Sequence, residues 1–187
     1  MRLIDRLLQD WRARMARPWI RPGDRLLDIG CHQGEFLASL GDRIGPSVGY
    51  DPLTTAVNGK NYRLIAQIFR EPTGLEQESF DAVVMLATLE HVRDKGPLGR
   101  ECFRVLRPGG RLILTVPSPA IDNIIRFFRK LRLADGMSLE EHHDYDPWIT
   151  PRVFSSHGFE LEHHRRFQLG LNHLFVLRKP TPAVAGR

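Results

Sequence analysis

The sequence predicts an α/β fold: a seven-stranded, mostly parallel sheet with helices on both faces, closing in a C-terminal antiparallel hairpin. Two observations carry that expectation. Short apolar runs at 25–29, 47–50, 62–69, 80–86 and 111–116 are interleaved with segments of helical period. Alternation of that kind builds a parallel sheet, because each crossover returns the chain to the same edge. The last two runs, 159–167 and 172–178, are separated only by Gln168-Leu169-Gly170-Leu171, which is hairpin spacing.

With 187 residues and 42% hydrophobic content, the chain reads as one domain, 1–187, with length enough for a proper core. No apolar run is long enough to cross a bilayer, and the N-terminus is broken by charge every few residues, unlike a secretory signal. The cytoplasm is the expected address. The formal charge is +5 and the pI about 9.7, so a nucleic-acid partner is possible. Arginine is nevertheless spread along the chain (Arg12, Arg63, Arg100, Arg152), which favours a generally basic surface over a dedicated nucleic-acid face. Cys31 and Cys102 are too far apart in sequence to suggest a framework, and both read as packed thiols.

Taken in order, residues 3–17 have helical period, with Leu3, Leu7, Leu8, Trp11 and Met15 on one face and arginines opposite. The N-terminal helix, within residues 1–20, is expected to pack on the domain or over its ligand cleft. A membrane-surface helix, with Arg2, Arg6, Arg12 and Arg14 on headgroups, is the alternative that Asp5 and Asp10 oppose. Next comes Arg25-Leu26-Leu27-Asp28-Ile29-Gly30-Cys31-His32-Gln33-Gly34-Glu35-Phe36, a strand delivered onto a glycine-bounded turn. A helix follows whose N-terminal amides should point back at a ligand.

Asp28 sharpens that reading. A carboxylate beside a pyrophosphate would repel it, so the turn suits a ligand whose nearby end is cationic. S-adenosylmethionine, with its ammonium and sulfonium, is the common nucleotide cofactor of that kind. Asp51 ends the second strand about twenty residues beyond the turn, where an acid accepts hydrogen bonds from ribose hydroxyls. Pro52 and Leu53 follow as an apolar edge, and Leu86 closes the fourth strand at the same side of the sheet. The pattern 94–106 is helical, and Arg107-Pro108-Gly109-Gly110 reads as a helix stop and turn before the strand at 111–116.

The glycine turn, Ser79-Phe80-Asp81-Ala82-Val83-Val84, Leu89-Glu90-His91-Val92 and Leu106-Arg107-Pro108-Gly109-Gly110-Arg111-Leu112 together resemble the ordered motifs of small class I S-adenosylmethionine-dependent methyltransferases. His32 stands where that family's first motif has its middle glycine. The resemblance implies a Rossmann-like sheet whose last strand inserts between its neighbours, and a segment at 117–150 covering the active site. It also implies cofactor contacts at Asp28, Gly30, His32, Gly34, Asp51, Pro52, Leu53 and Leu86. Beyond that segment, Thr150-Pro151 reads as a helix start with the threonine as cap, Gly158 as its stop, and 179–187 as a frayed tail.

A sulfonium methyl is already electrophilic, so a base is needed only if the acceptor arrives protonated. His91, at the carboxyl edge of the sheet, and His142 and His143, on the covering segment, are the candidates. For His163 and His164 a solvated sheet face suffices. Glu90 and His91 resemble part of the Glu-x-x-Glu-His site of metal-dependent RNA 2′-O-methyltransferases, but Ala87 replaces the first glutamate, and no metal is expected. The run Met85-Leu86-Ala87-Thr88 lacks the Pro-Pro-aromatic grip used on nucleobase amines. The reading is methyl transfer to an oxygen or nitrogen of a small molecule. The alternatives are a metal-assisted RNA 2′-O-methyltransferase and a non-catalytic cofactor-binding partner protein.

Overall fold

The computed structural model describes residues 3–118 and 145–182. Its sheet contains β1 (Leu26–Ile29), β2 (Ser47–Tyr50), β3 (Tyr62–Ile65), β4 (Phe80–Leu86), β5 (Leu106–Pro117), β6 (Glu160–Phe167) and β7 (Asn172–Arg178). The spatial order is β3-β2-β1-β4-β5-β7-β6. The first five strands pair in parallel, and β7 runs antiparallel between β5 and β6. The last strand therefore does insert between its neighbours.

Period-two alternation sorts the side chains into two cores. Leu27, Val83, Met85, Leu112, Leu114 and Phe175 face α3 (Lys95–Val105) and α4 (Thr150–Ser155). Leu26, Val84, Ile113, Leu174 and Val176 face α1 (Leu3–Ala16) and α2 (Glu35–Leu40). Because β1 and β4 are covered on both faces, they read as continuous apolar runs. The register pairs Pro117 with Asn172, and Ser118 N–H donates to the Leu171 carbonyl at 2.8 Å. The hairpin tip thus stands at the carboxyl edge of the parallel strands, the edge where α/β sheets bind ligands.

Several expectations change. β3 stops at Ile65, whose carbonyl accepts from both Asp51 N–H and Gln67 N–H. β5 runs back through the glycines to Leu106, with a register shift opposite Phe80 and Ala82, so the expected turn at 107–110 is an irregular strand start. Thr150 does not cap its helix. Its hydroxyl is fully buried and pairs with the Tyr145 hydroxyl at 2.9 Å. α1 is rotated from the predicted stripe: it buries Ala13 and Ala16 and leaves Leu7 and Trp11 outside. Small residues allow the close approach of α1 to β4 and β5 that larger ones would prevent. The expected cover at 117–150 falls largely outside the described residues.

The opposite edge is anchored by Lys179. Its buried Nζ donates to the Phe103 and Leu106 carbonyls at the end of α3 (3.0 and 2.7 Å) and to Glu78 Oε1 at 3.1 Å, lying over the Phe103 ring. Helix-terminal carbonyls have no intrahelical partner, so this one ammonium satisfies groups that the chain cannot. Lys179→Met is expected to lower unfolding free energy in urea by about 2–3 kcal/mol, since buried carbonyls lose their donor. A loss below about 0.5 kcal/mol would mean the ammonium is not an anchor.

Candidate functional site

Between β1 and α2 the chain makes its sharpest turn. Gly30 and Gly34 both have φ +78, and a Cβ at Gly30 would overlap the Thr88 side chain at the end of β4. Gly30 is therefore required by backbone angle and by close approach together. His32, in the position of the missing glycine, also has positive φ, at 49. Its Nδ1 lies 2.8 Å from Glu35 Oε1, and its N–H donates to Asp51 Oδ2 at 2.9 Å. Those bonds hold a residue that would otherwise avoid this conformation.

The turn's amides are all engaged within the protein. Gly30 and Cys31 donate to the Tyr50 carbonyl, His32 to Asp51, Gln33 to Glu35 Oε2 and Gly34 to the Cys31 carbonyl. The turn's own amides, as distinct from those of the helix that follows, therefore do not face a ligand. α2 begins after a left-handed Gly34, whose own N–H is taken by the turn.

What faces outward instead is negative. Asp28 is 2% exposed, and its Oδ2 has no hydrogen-bond partner among the described residues. Burial, then the charges of Asp51 and Glu35, push its carboxyl up to about 7. A cleft of about 500 Å³ opens beside it, lined by Asp28, Gly30, Cys31, Glu35 and Leu86 on one side and by Arg6, Arg12, Arg14 and Arg17 of α1 and its end on the other. An acidic inner wall facing a basic outer wall suits a ligand carrying both a cation and an anion. The orphaned carboxylate oxygen fits a sulfonium or ammonium group and opposes a pyrophosphate.

Of the other predicted residues, Asp51 is half-buried beside the turn. It accepts from His32 N–H and from Leu53 N–H (2.8 Å), so it is a structural tether whose carboxylate retains further lone pairs. Gln33 adds a second tie, with its amide donating to the Leu53 carbonyl and accepting from Thr55 N–H. Pro52 is exposed and Leu53 is 74% exposed, at the rim. His91 is exposed on the 3₁₀ turn Leu89–His91 and does not line the cleft, while its neighbour Glu90 is buried. His142 and His143 lie outside the described residues. No group of three or more metal-binding side chains occurs among the described residues.

Sequence reasoning missed three features. Arg12 and Arg17 reach the cleft because α1 is rotated, and no local pattern marks them. Glu35 joins the acid cluster through its bonds to the turn, which its adjacency to Gly34 did signal. His164 is no solvated sheet residue: its Nε2 lies 3.0 Å from His173 Nδ1, with Trp148 edge-on to both rings. Burial lowers both imidazoles, His173 to about 4, which favours their neutral forms. Cys31 and Cys102 are both buried free thiols, pushed up by burial.

A seven-stranded sheet with this strand order, an acid before a glycine turn and a second acid after β2 define the class I S-adenosylmethionine-dependent methyltransferase fold. Residues 2–166 match the methyltransferase domain family, and the chain belongs to it. It is 38% identical to 27-O-demethylrifamycin SV methyltransferase of Amycolatopsis mediterranei, over 54% of this chain and 43% of that protein. It is also 38% identical to the mitochondrial ubiquinone biosynthesis O-methyltransferase of Bos taurus, over 72% of this chain and 40% of the relative. The chain therefore spans under half the length of both. An S-adenosylmethionine-dependent methyltransferase structure from Mesorhizobium loti superposes with a TM-score of 0.66 at 17% identity, covering 88% of this chain and 96% of that one, which shows the shared fold.

Asp28 has a folded-state pKa raised above its unfolded value near 3.8. The native state then binds the extra proton, so stability falls as pH rises between those two values and stays low above about 7. Asp28→Asn should abolish that slope and stabilise the ligand-free protein by about 1–3 kcal/mol near pH 8. Urea unfolding at a series of pH values checks this; parallel curves for parent and variant would show Asp28 to be solvated.

Proposed function

We propose that this protein transfers a methyl group from S-adenosylmethionine to an oxygen or nitrogen of a small molecule. The observation that carries the reading is the unpartnered buried oxygen of Asp28, at a turn whose own amides are all taken. Membership of the methyltransferase family supports it, as does similarity to a 27-O-demethylrifamycin SV methyltransferase and a ubiquinone biosynthesis O-methyltransferase.

The cofactor would bring an electrophilic methyl, leaving the chain to bind, orient and keep water out. Asp28 and Glu35 face the cationic end, and Arg12 and Arg17 the carboxylate. Gly30 and Gly34 let the turn approach, His32 holds its left-handed corner, and Asp51 offers its spare lone pairs to ribose hydroxyls. Pro52, Leu53 and Leu86 supply apolar walls. Holding the acceptor in line can lower the barrier by about 7–11 kcal/mol without any base. Where the acceptor has a proton to lose, the candidates to take it are His91, which stands outside the lining of the cleft, and His142 or His143, and the reading needs no metal.

Titration calorimetry should show binding of S-adenosylmethionine and S-adenosylhomocysteine, and none of NAD. The reverse pattern would overturn the reading. Affinity for S-adenosylmethionine should tighten as pH rises from about 6 to about 8, because the ionised Asp28 is the binding form. Asp51→Ala should weaken binding by about one to two powers of ten, losing both a charged hydrogen bond and the tether on the turn.

For the chemistry, His91→Ala should lower turnover by about two to four powers of ten with cofactor affinity little changed, if an acceptor proton must be removed. A chelator should have no effect. Loss of activity on chelation, restored by a divalent ion, would instead favour metal-assisted transfer.

A further inference from the structure

α1 leaves outside the apolar stripe that its sequence period marks for burial. Leu7 is 58% and Trp11 44% exposed, one turn apart on the helix. The tip of the β6–β7 hairpin meets this stripe. Trp11 lies 6.5 Å from the Phe167 ring, and the Gln168 side chain donates to the Leu8 carbonyl at 3.0 Å.

The next residue of the tip, Leu169, is 98% exposed. Its φ is 57 and that of Gln168 is 52, so two consecutive non-glycine residues hold a left-handed backbone. That conformation is unfavourable for both, and it projects a leucine where no part of the described chain covers it. Folding alone does not account for that arrangement, since glycine would make the same turn without strain.

Two arginines stand on the same elements as the apolar groups. Arg14 follows Trp11 by three residues and, with Arg165 of β6, borders a shallow groove beside Trp19 and His163. Asp10 is the exposed acid nearest in sequence to Trp11. Exposed apolar groups on α1 and the tip, with Arg14 and Arg165 on the same two elements, match a surface that is anionic at its boundary and apolar beneath. A nucleic acid would use the arginines but has no use for a lone projecting leucine.

We propose that α1 and the β6–β7 tip dock on an anionic phospholipid bilayer. Leu7, Trp11 and Leu169 enter the boundary between headgroups and acyl chains, and Arg14 and Arg165 rest on lipid phosphates. The tip stands at the carboxyl edge of the sheet, so docking turns that edge toward the bilayer. This inference rests on the surface and does not depend on the catalytic reading.

The test is co-sedimentation of the full chain with vesicles of phosphatidylcholine mixed with phosphatidylglycerol, and with pure phosphatidylcholine. Binding to the mixed vesicles is expected to be about tenfold tighter and to weaken with salt. Leu169→Gly should reduce it about fivefold to tenfold without lowering the melting temperature, because glycine removes the backbone strain. Arg165→Glu should remove the preference for anionic lipid. Absence of binding to the mixed vesicles, or equal binding by parent and Leu169→Gly, would overturn the proposal. So would a result in which Leu169→Gly and Trp11→Ser alter self-association in sedimentation velocity and leave vesicle binding intact, because the patch would then be a protein interface.

Discussion

A carboxylate kept out of water with one oxygen unpartnered is the constraint around which this molecule is arranged. Asp28 is the penultimate residue of β1, flanked by β2 and β4, so its backbone position is set by ladders on both sides. Burial without full hydrogen bonding is costly, and at Asp28 the fold carries that cost beside the glycine turn. The turn around it must be tight to exclude water. The contact of Gly30 with Thr88, the tether from Asp51 to His32 and Leu53, and the Gln33 ties to Leu53 and Thr55 all serve to hold it closed.

Strain gathers at the same edge. Of the non-glycine residues with positive φ, His32, Ala87, Gln168 and Leu169 lie at the carboxyl edge, in the turn, after β4 and in the hairpin tip. Glu78 is the exception, and Lys179 holds its carboxylate at the opposite edge. That opposite edge is tied down by full hydrogen bonding: Asp81 accepts from Arg25 N–H and pairs with Arg107, and Lys179 closes the end of α3. One edge is spent on rigidity and the other on presenting groups in conformations that they would not choose. Strain at a functional edge persists only where such surroundings over-determine it.

The two faces of the cleft have different origins. Its acidic wall is local: Asp28 and Glu35 stand at the two ends of one turn, so any chain that makes the turn brings them together. Its basic wall is not. Arg12 and Arg17 arrive from the N-terminal helix and its 3₁₀ extension only because α1 lies across β4 and β5 on its alanines. The same rotation leaves Leu7 and Trp11 outside. A single packing choice, small residues inward, therefore shapes both the cleft and the exposed stripe.

By itself the sequence determined the strand count, the parallel run of the first five strands, the C-terminal hairpin, the glycine turn and the pair of acids near the ends of β1 and β2, while the insertion of the last strand between its neighbours was implied only by the resemblance. Apart from that insertion, these features follow from period, spacing and charge within short stretches, where local physics leaves few choices. Only the tertiary structure decided which face α1 buries, that Thr150 pairs with Tyr145 in place of capping α4, and that a half-buried His164 pairs with His173. It also decided that the amides of the turn are closed to a ligand. Each of these depends on a partner distant in sequence or on a competition for one hydrogen bond. A pattern read along the chain cannot rank such competitors, because the free energy that separates them comes from packing against residues that the pattern does not contain.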